Sequence, residues 1–167
     1  MRALFLCLFL TLSQSLFSQE NAAPVVKNEI TFSIIKPSAI RAHQIGSIID
    51  QIERTGLTVI AIKMSQLNET KAKDFYREHD GKPFFADLVK TMSSGPIVAL
   101  VVQGDDSMKR LRQIVGTTDP AKAEPFTIRA MYGKSVSENA IHASDSASSA
   151  AREIPFFFTE EEIYKQQ

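Results

Sequence analysis

At 167 residues, with 44% hydrophobic and 23% charged side chains, the chain has the size and composition of one soluble globular domain, not of a disordered or collagen-like protein. Its 19 basic and 19 acidic side chains cancel, which excludes the long-range positive field of a non-specific binder of nucleic acid or anionic membrane. The single cysteine, Cys7, excludes an intrachain disulfide and a cysteine metal site.

The first stretch stands apart from the rest. A basic start at Met1-Arg2, an apolar run from Ala3 to Leu12 and a polar, small-residue region match a secretory signal peptide, with a run too short to span a bilayer. The competing reading is a misplaced start, with Val25 or Val26 standing for a GUG start codon. Residues 1–27 are therefore read as a signal-like or mis-started leader and 28–167 as the folded domain.

ITFSIIKP alternates Ile30, Phe32 and Ile34 and is closed by Pro37, which predicts a strand ending at Lys36. Ile45, Ile48, Ile49 and Ile52 keep the i, i+3, i+4, i+7 spacing of an amphipathic helix, and Gly56 is placed to cap its C-terminus. LTVIAIKM, Leu57 to Met64, is a second strand. Residues 68–94 read as two helical pieces, one capped by Asn68 and running through Phe75-Tyr76, the other opening at Pro83. The unbroken run Ile97 to Val102 predicts a central strand buried on both faces. A helix capped by Asp105 or Asp106 follows and stops at Gly116.

FTIRAMY, Phe126 to Tyr132, alternates again and is read as the fourth strand, with Arg129 on the face away from Ile128. A helix is expected from Ser144 or Asp145 to about Glu153, and Thr159 with Glu162 spells a capping box. The order β-α-β, helical insertion, β-α-β, helix is that of an α/β (α+β) ferredoxin-like split βαβ sandwich: a four-stranded antiparallel sheet with helices expected on one face.

No phosphate loop is present. Gly133-Lys134-Ser135 imitates the end of one, but the required earlier glycine is Ile128. Phosphates would have to be held by side-chain cations, and Lys36 at a strand end, Arg112 near a helix end and Arg129 are placed for that. The proline-bearing loop after Gly116 carries Thr118. Of the three histidines, His43 and His79 read as solvent-facing. His142 precedes a predicted helix N-terminus, where free N–H groups favour anions. It is read as a turn histidine or as a nucleophile whose transferred charge those groups and the Ser144 hydroxyl would steady; a metal site is disfavoured, since no second ligand stands at the right spacing. Glu153, about three helical turns further on, could hold the imidazole tautomer if that helix packs beside His142. Phe84 of the Phe84-Phe85 pair could stack a base or sit in the core, the Tyr76 hydroxyl could meet a phosphate or water, and Asn139 could bond a sugar or its own turn.

From about Glu29 to Tyr164 these stretches together resemble the nucleoside diphosphate kinase family, bacterial-type short chain. The carriers are TFSIIKP at Thr31 to Pro37, Phe75-Tyr76, KPFFADLVKTMSSGPIVALV at Lys82 to Val101, GTTDPAKAEPFTIR at Gly116 to Arg129, and NAIHASDS at Asn139 to Ser146 with the following SAAREI. The resemblance implies ping-pong transfer of the γ-phosphoryl group of ATP to a nucleoside diphosphate, with Mg²⁺ carried on the nucleotide phosphates and no dedicated metal ligands. His142 matches the phosphorylated histidine. Lys36, Arg112, Thr118, Arg129 and Asn139 match phosphate and ribose contacts, Phe84 the base-stacking ring, and Tyr76 and Glu153 the supporting hydroxyl and carboxylate. A homo-oligomer, tetramer or hexamer, is implied through the loop from Gly116. The substrates favour a cytoplasmic enzyme, with export as the alternative if the leader is translated and used. A nucleotide-dependent regulator without catalysis is the competing class, but it would not need His142 and Glu153 together. One departure is Ala143, where glycine is common in the family; a φ above zero there would cost about 1 kcal/mol.

Overall fold

The computed structural model describes residues 24–166, so the proposed leader falls outside the described residues up to residue 23. In chain order the elements are β1 (Glu29–Ile35), α1 (Pro37–Arg41), α2 (Ile45–Glu53), β2 (Thr58–Gln66), α3 (Glu69–Phe75), a 3-10 turn at Arg77–His79, α4 (Phe85–Ser93), β3 (Pro96–Gly104), α5 (Ser107–Val115), a 3-10 turn at Pro120–Lys122, α6 (Ile128–Tyr132), β4 (Ile141–Ala143), α7 (Ala147–Phe157) and a last 3-10 turn at Glu160–Glu162. The four strands form one antiparallel sheet in the order β2-β3-β1-β4. This is the ferredoxin-like arrangement expected from the element order.

Helices cover both faces of the sheet, not one. Because successive strand residues point to opposite sides, Ile97, Ala99 and Val101 of β3 join Phe32, Ile34, Phe75, Val89 and Met92 in one core layer. Val98, Leu100 and Val102 join Ile35, Ile48, Ile52, Leu111 and Val115 in the other. The helical insertion α3–α4 and the end of α7 roof the first layer, which explains why β3 is an unbroken apolar run.

The expected fourth strand is a helix. Thr127 caps α6 by accepting from the Ala130 N–H, and Phe126, with φ 67°, leaves the chain in a left-handed kink with its ring 83% exposed. The alternation of Phe126, Ile128 and Ala130 is therefore coincidental, since only Ile128 of the three is buried. The true fourth strand is Ile141–Ala143, which pairs with β1 through Ser33↔Ala143, Ile34↔His142 and Ile35↔Ile141. Three residues are too few to show a period, so this edge exists only through pairing distant in sequence.

Capping was mostly legible. Asn68 accepts from Lys71 N at 2.8 Å, and Thr159 with Glu162 forms the capping box. At α5 the sequence misleads. Asp106 holds the N-cap position at φ 50°, but its carboxylate accepts from Val26 N at 2.7 Å, and Glu29 Oε2 takes the Met108 N–H at 2.9 Å instead. Helix α7 begins later than expected, with Ser146 accepting from Ser149 N at 3.1 Å, and it continues through Pro155. His142 thus stands on a strand, with Ala143, Ser144 and Asp145 between it and the cap.

Candidate active site

The end of β1, the end of α5, strand β4 and helix α7 converge on one cavity of about 340 Å³, within the size range of small-ligand sites. Nine residues singled out from the sequence lie on its wall: Lys36, Tyr76, Phe84, Arg112 and Thr118, together with Arg129, Asn139, His142 and Glu153.

His142 is held from several sides. Its carbonyl accepts from Ser33 Oγ at 2.6 Å, which pins β4 to β1. Its ring lies edge to face against Phe75 and Tyr76, each at 5.7 Å between centroids. Nε2 sits 2.9 Å from Glu153 Oε2, and the side chain is 18% exposed, whereas Glu153 is 2% exposed. Nδ1 has no hydrogen-bond partner among the described residues. Ser144 does not face the cavity as expected. It is buried and donates to Glu153 Oε2 at 2.6 Å, so it orients the carboxylate and not a transferred group.

Three cations share this cavity. Lys36 follows β1 directly, its N–H tied to Ala140 O at 2.8 Å and its Nζ donating to Asn139 Oδ1 at 2.6 Å. The other end of Asn139 donates to Thr118 O at 3.0 Å, so its side chain bridges Lys36 to the loop and bonds neither its own turn nor open solvent. Arg129 projects from α6, not from a strand, and donates to Gly116 O at 2.9 Å and Ile141 O at 3.1 Å. Burial first, and then Arg129, lowers the Lys36 pKa from an ordinary 10.5 to about 7. Burial, then Arg112, lowers that of Arg129 to about 10. Cations whose pKa values are lowered by burial and by a neighbouring cation suit a site for an anion.

Two donors on the wall point the same way. The Tyr76 hydroxyl and Arg129 Nε are buried with no hydrogen-bond partner, although an unmade buried hydrogen bond is costly. Burial raises the Tyr76 pKa above its ordinary value, so the phenol stays a donor. Phe84, at the N-cap position of α4, is 47% exposed, while its neighbour Phe85 packs against the core. The core reading thus falls to Phe85, and Phe84 is left exposed on the cavity wall.

His79 overturns its expected solvent-facing role. Its ring stacks on Tyr76 at 6.2 Å and 19°, meets Phe84 at 5.5 Å, and lines the cavity with its pKa lowered by burial and by Lys82. The signal was the i, i+3 spacing from Tyr76, since such residues eclipse in a 3-10 turn. Glu78 and Asp145 also line the cavity, and the sequence reading gave neither a role. Ala143 is free of the feared strain: it is paired in β4, and the left-handed residue nearby is the buried Ala140 at φ 68°.

Two consequences of this geometry are measurable. Gly116 has φ 83°, and a Cβ there would stand 2.5 Å from Thr127 Oγ1, the cap of the helix that carries Arg129. Gly116→Ala is expected to cost about 2–4 kcal/mol in urea unfolding, left-handed strain plus overpacking. Lys36 gives a proton signature. Between about 7 and 10.5 the folded protein binds fewer protons there than the unfolded chain, so this residue's contribution to stability rises with pH across that window. A polyphosphate should reverse the shift, so its binding at pH 8 is expected to take up a proton and its binding at pH 6 to take up none at Lys36. Calorimetry in buffers of different ionisation enthalpy measures the uptake, and Lys36→Met should remove it.

A family model described as "Nucleoside diphosphate kinase" matches residues 29–163. The chain belongs to the nucleoside diphosphate kinase family. A nucleoside diphosphate kinase of Hydrogenovibrio crunogenus is 51% identical over 136 residues, covering 81% of this chain and 96% of the relative. One from Bdellovibrio bacteriovorus is 48% identical over 135 residues, with 81% and 96% covered. Among solved structures, the nucleoside diphosphate kinase of Aquifex aeolicus superposes with a TM-score of 0.79 at 44% identity, over 84% of this chain and 99% of that one. The Halobacterium salinarum nucleoside diphosphate kinase in complex with CDP gives 0.80 at 37% identity, over 84% and 93%. Among the described residues no helix is long and apolar enough to cross a membrane.

Proposed function

We propose that this protein transfers the γ-phosphoryl group of a nucleoside triphosphate, usually ATP, to a nucleoside diphosphate by a ping-pong mechanism through a phosphohistidine at His142, maintaining nucleoside triphosphate pools. One observation carries the reading: an imidazole bound through Nε2 to a buried carboxylate shares a cavity with Lys36, Arg112 and Arg129. That the Halobacterium salinarum relative was solved in complex with CDP supports a nucleotide as the ligand.

With Nε2–H donating to Glu153, the ring's lone pair lies on Nδ1, which becomes the nucleophile. It attacks the γ-phosphorus, the bond to the β–γ bridging oxygen breaks, and the nucleoside diphosphate leaves. A β-phosphate oxygen of the acceptor then attacks the same phosphorus and frees the imidazole. Glu153 offsets the positive charge that grows on the ring during attack. Lys36, Arg112 and Arg129, with the Tyr76 hydroxyl, stabilise the transferring group, the main demand of phosphoryl transfer. Thr118 and Asn139 shape the phosphate and ribose side, and Phe84 offers its exposed face to the base. These contacts read a base weakly, which suits a broad substrate range.

Mg²⁺ would ride on the nucleotide phosphates and neutralise part of their charge. Oxygen donors of the kind it takes, Glu78 and Asp145, stand on the cavity wall, while no group of three or more His, Cys, Asp or Glu side chains converges among the described residues. The proposed assembly is a homo-oligomer, tetramer or hexamer, supported by the exposed Phe126 and Met131 beside the Gly116 loop. Light scattering reads its size. The proposed location is the cytoplasm, with the N-terminal mass of protein made from the native gene deciding between Met1, a cleaved form and a start near Val26.

Incubation with Mg-ATP alone, followed by GDP, tests the mechanism. An acid-labile phosphoenzyme that discharges to GTP is the expected result. A protein that forms GTP with no phosphoenzyme, or forms neither, overturns it.

A further inference from the structure

We infer that Arg152 is a positioning residue for phosphoryl transfer, acting on His142 through Glu153 while tying helix α7 to the segment that carries Tyr76 and His79. The inference rests on the phosphohistidine reading above. Glu153 spends Oε2 on His142 Nε2 and Ser144 Oγ, and its Oε1 faces Arg152 Nη2 at 3.5 Å. With 2% of its side chain exposed, that carboxylate depends on protein partners for its charge and its aim.

The same guanidinium reaches outward. Nη1 donates to Phe75 O at 3.1 Å and Nη2 to Glu78 Oε2 at 2.6 Å. Phe75 is the last residue of α3, where carbonyls lack helical partners and the dipole favours a cation. Tyr76 and His79 follow at once, and Phe75 and Tyr76 are the rings that wall in His142. A planar fork with several donors can serve Glu153, Glu78 and the Phe75 carbonyl together; a lysine ammonium cannot span all three. Arg152 also stands between two carboxylates that would otherwise repel each other.

The test is a double-mutant cycle on the rate of His142 phosphorylation at saturating Mg-ATP, using Arg152→Met, Glu153→Gln and the pair. Arg152→Met alone should slow the step about 10-fold, the scale lost when a group that orients a reacting side chain is removed. On the Glu153→Gln background the same change should cost no more than about 2-fold, because residues acting through one interaction are not additive. Arg152→Lys should fall between, recovering charge without the fork. If Arg152→Met does not fold at the assay temperature, Arg152→Lys on both backgrounds carries the same comparison. Equal fold-losses on both backgrounds, or no loss in either single variant, overturn the role. A wild-type protein that makes no phosphoenzyme instead sinks the underlying mechanism, so the two failures are distinguishable.

Discussion

Replacing His142 with alanine is expected to abolish the phosphoenzyme and to lower transfer from ATP to GDP by more than about 10,000-fold, the scale lost when a covalent nucleophile is removed from a site that keeps its binding groups. The fold should survive, because β4 is held by backbone pairing to β1 and by Ser33 Oγ on the residue 142 carbonyl, neither of which uses the imidazole. Nucleotide should still bind, since Lys36, Arg112, Arg129 and Phe84 remain on the cavity wall. Rapid quench with labelled ATP measures the transfer and equilibrium binding of ADP measures the rest. Normal transfer in this variant would remove His142 from the mechanism.

The second large effect is expected at Glu153. Glu153→Gln preserves shape but removes the charge that fixes the imidazole tautomer and offsets its positive charge, so single-turnover phosphorylation should fall about 100- to 10,000-fold, with little change in ADP affinity. The Ser144 hydroxyl, now at 2.6 Å from Oε2, would keep the new amide in place. A loss confined to nucleotide affinity would mean that the carboxylate shapes the cavity and does not serve the histidine. Between them the two variants separate the proposed nucleophile from the group proposed to prepare it, and the Arg152 cycle extends that test to the neighbouring residue of α7.

The fold was legible where burial is periodic. Ile97 to Val102 is apolar without a break because the strand is covered on both sides, and the isoleucines of α2 repeat at helical spacing because one stripe faces the core. It was illegible at Phe126 to Tyr132, where a short alternation imitated a strand and the cap at Thr127 made a helix. It failed again at Ile141–Ala143, a strand that only β1 creates. The candidate site followed the same division. Lys36 at a strand end, Arg112 near a helix end and Arg129 within an expected strand were visible as cations, and all three do line the cavity, Arg129 from a helix instead. His79 and Ser144 were misread because their roles depend on neighbours brought from elsewhere in the chain or on which way a buried hydroxyl turns.

By itself, the sequence determined the class of the domain, the order of its first three strands, the absence of a phosphate loop and a set of candidate side chains for handling a phosphoryl group. These are properties of composition and of local spacing, which a chain carries before it folds. Only the tertiary structure decided that His142 sits on an edge strand with Nε2 held by a buried glutamate, that Asn139 bridges Lys36 to the loop, and that burial with Arg129 lowers the Lys36 pKa while burial with Arg112 lowers that of Arg129. Those facts depend on distances between residues far apart in sequence and on the water excluded from between them, and neither quantity exists until the sheet has closed and the helices have covered it.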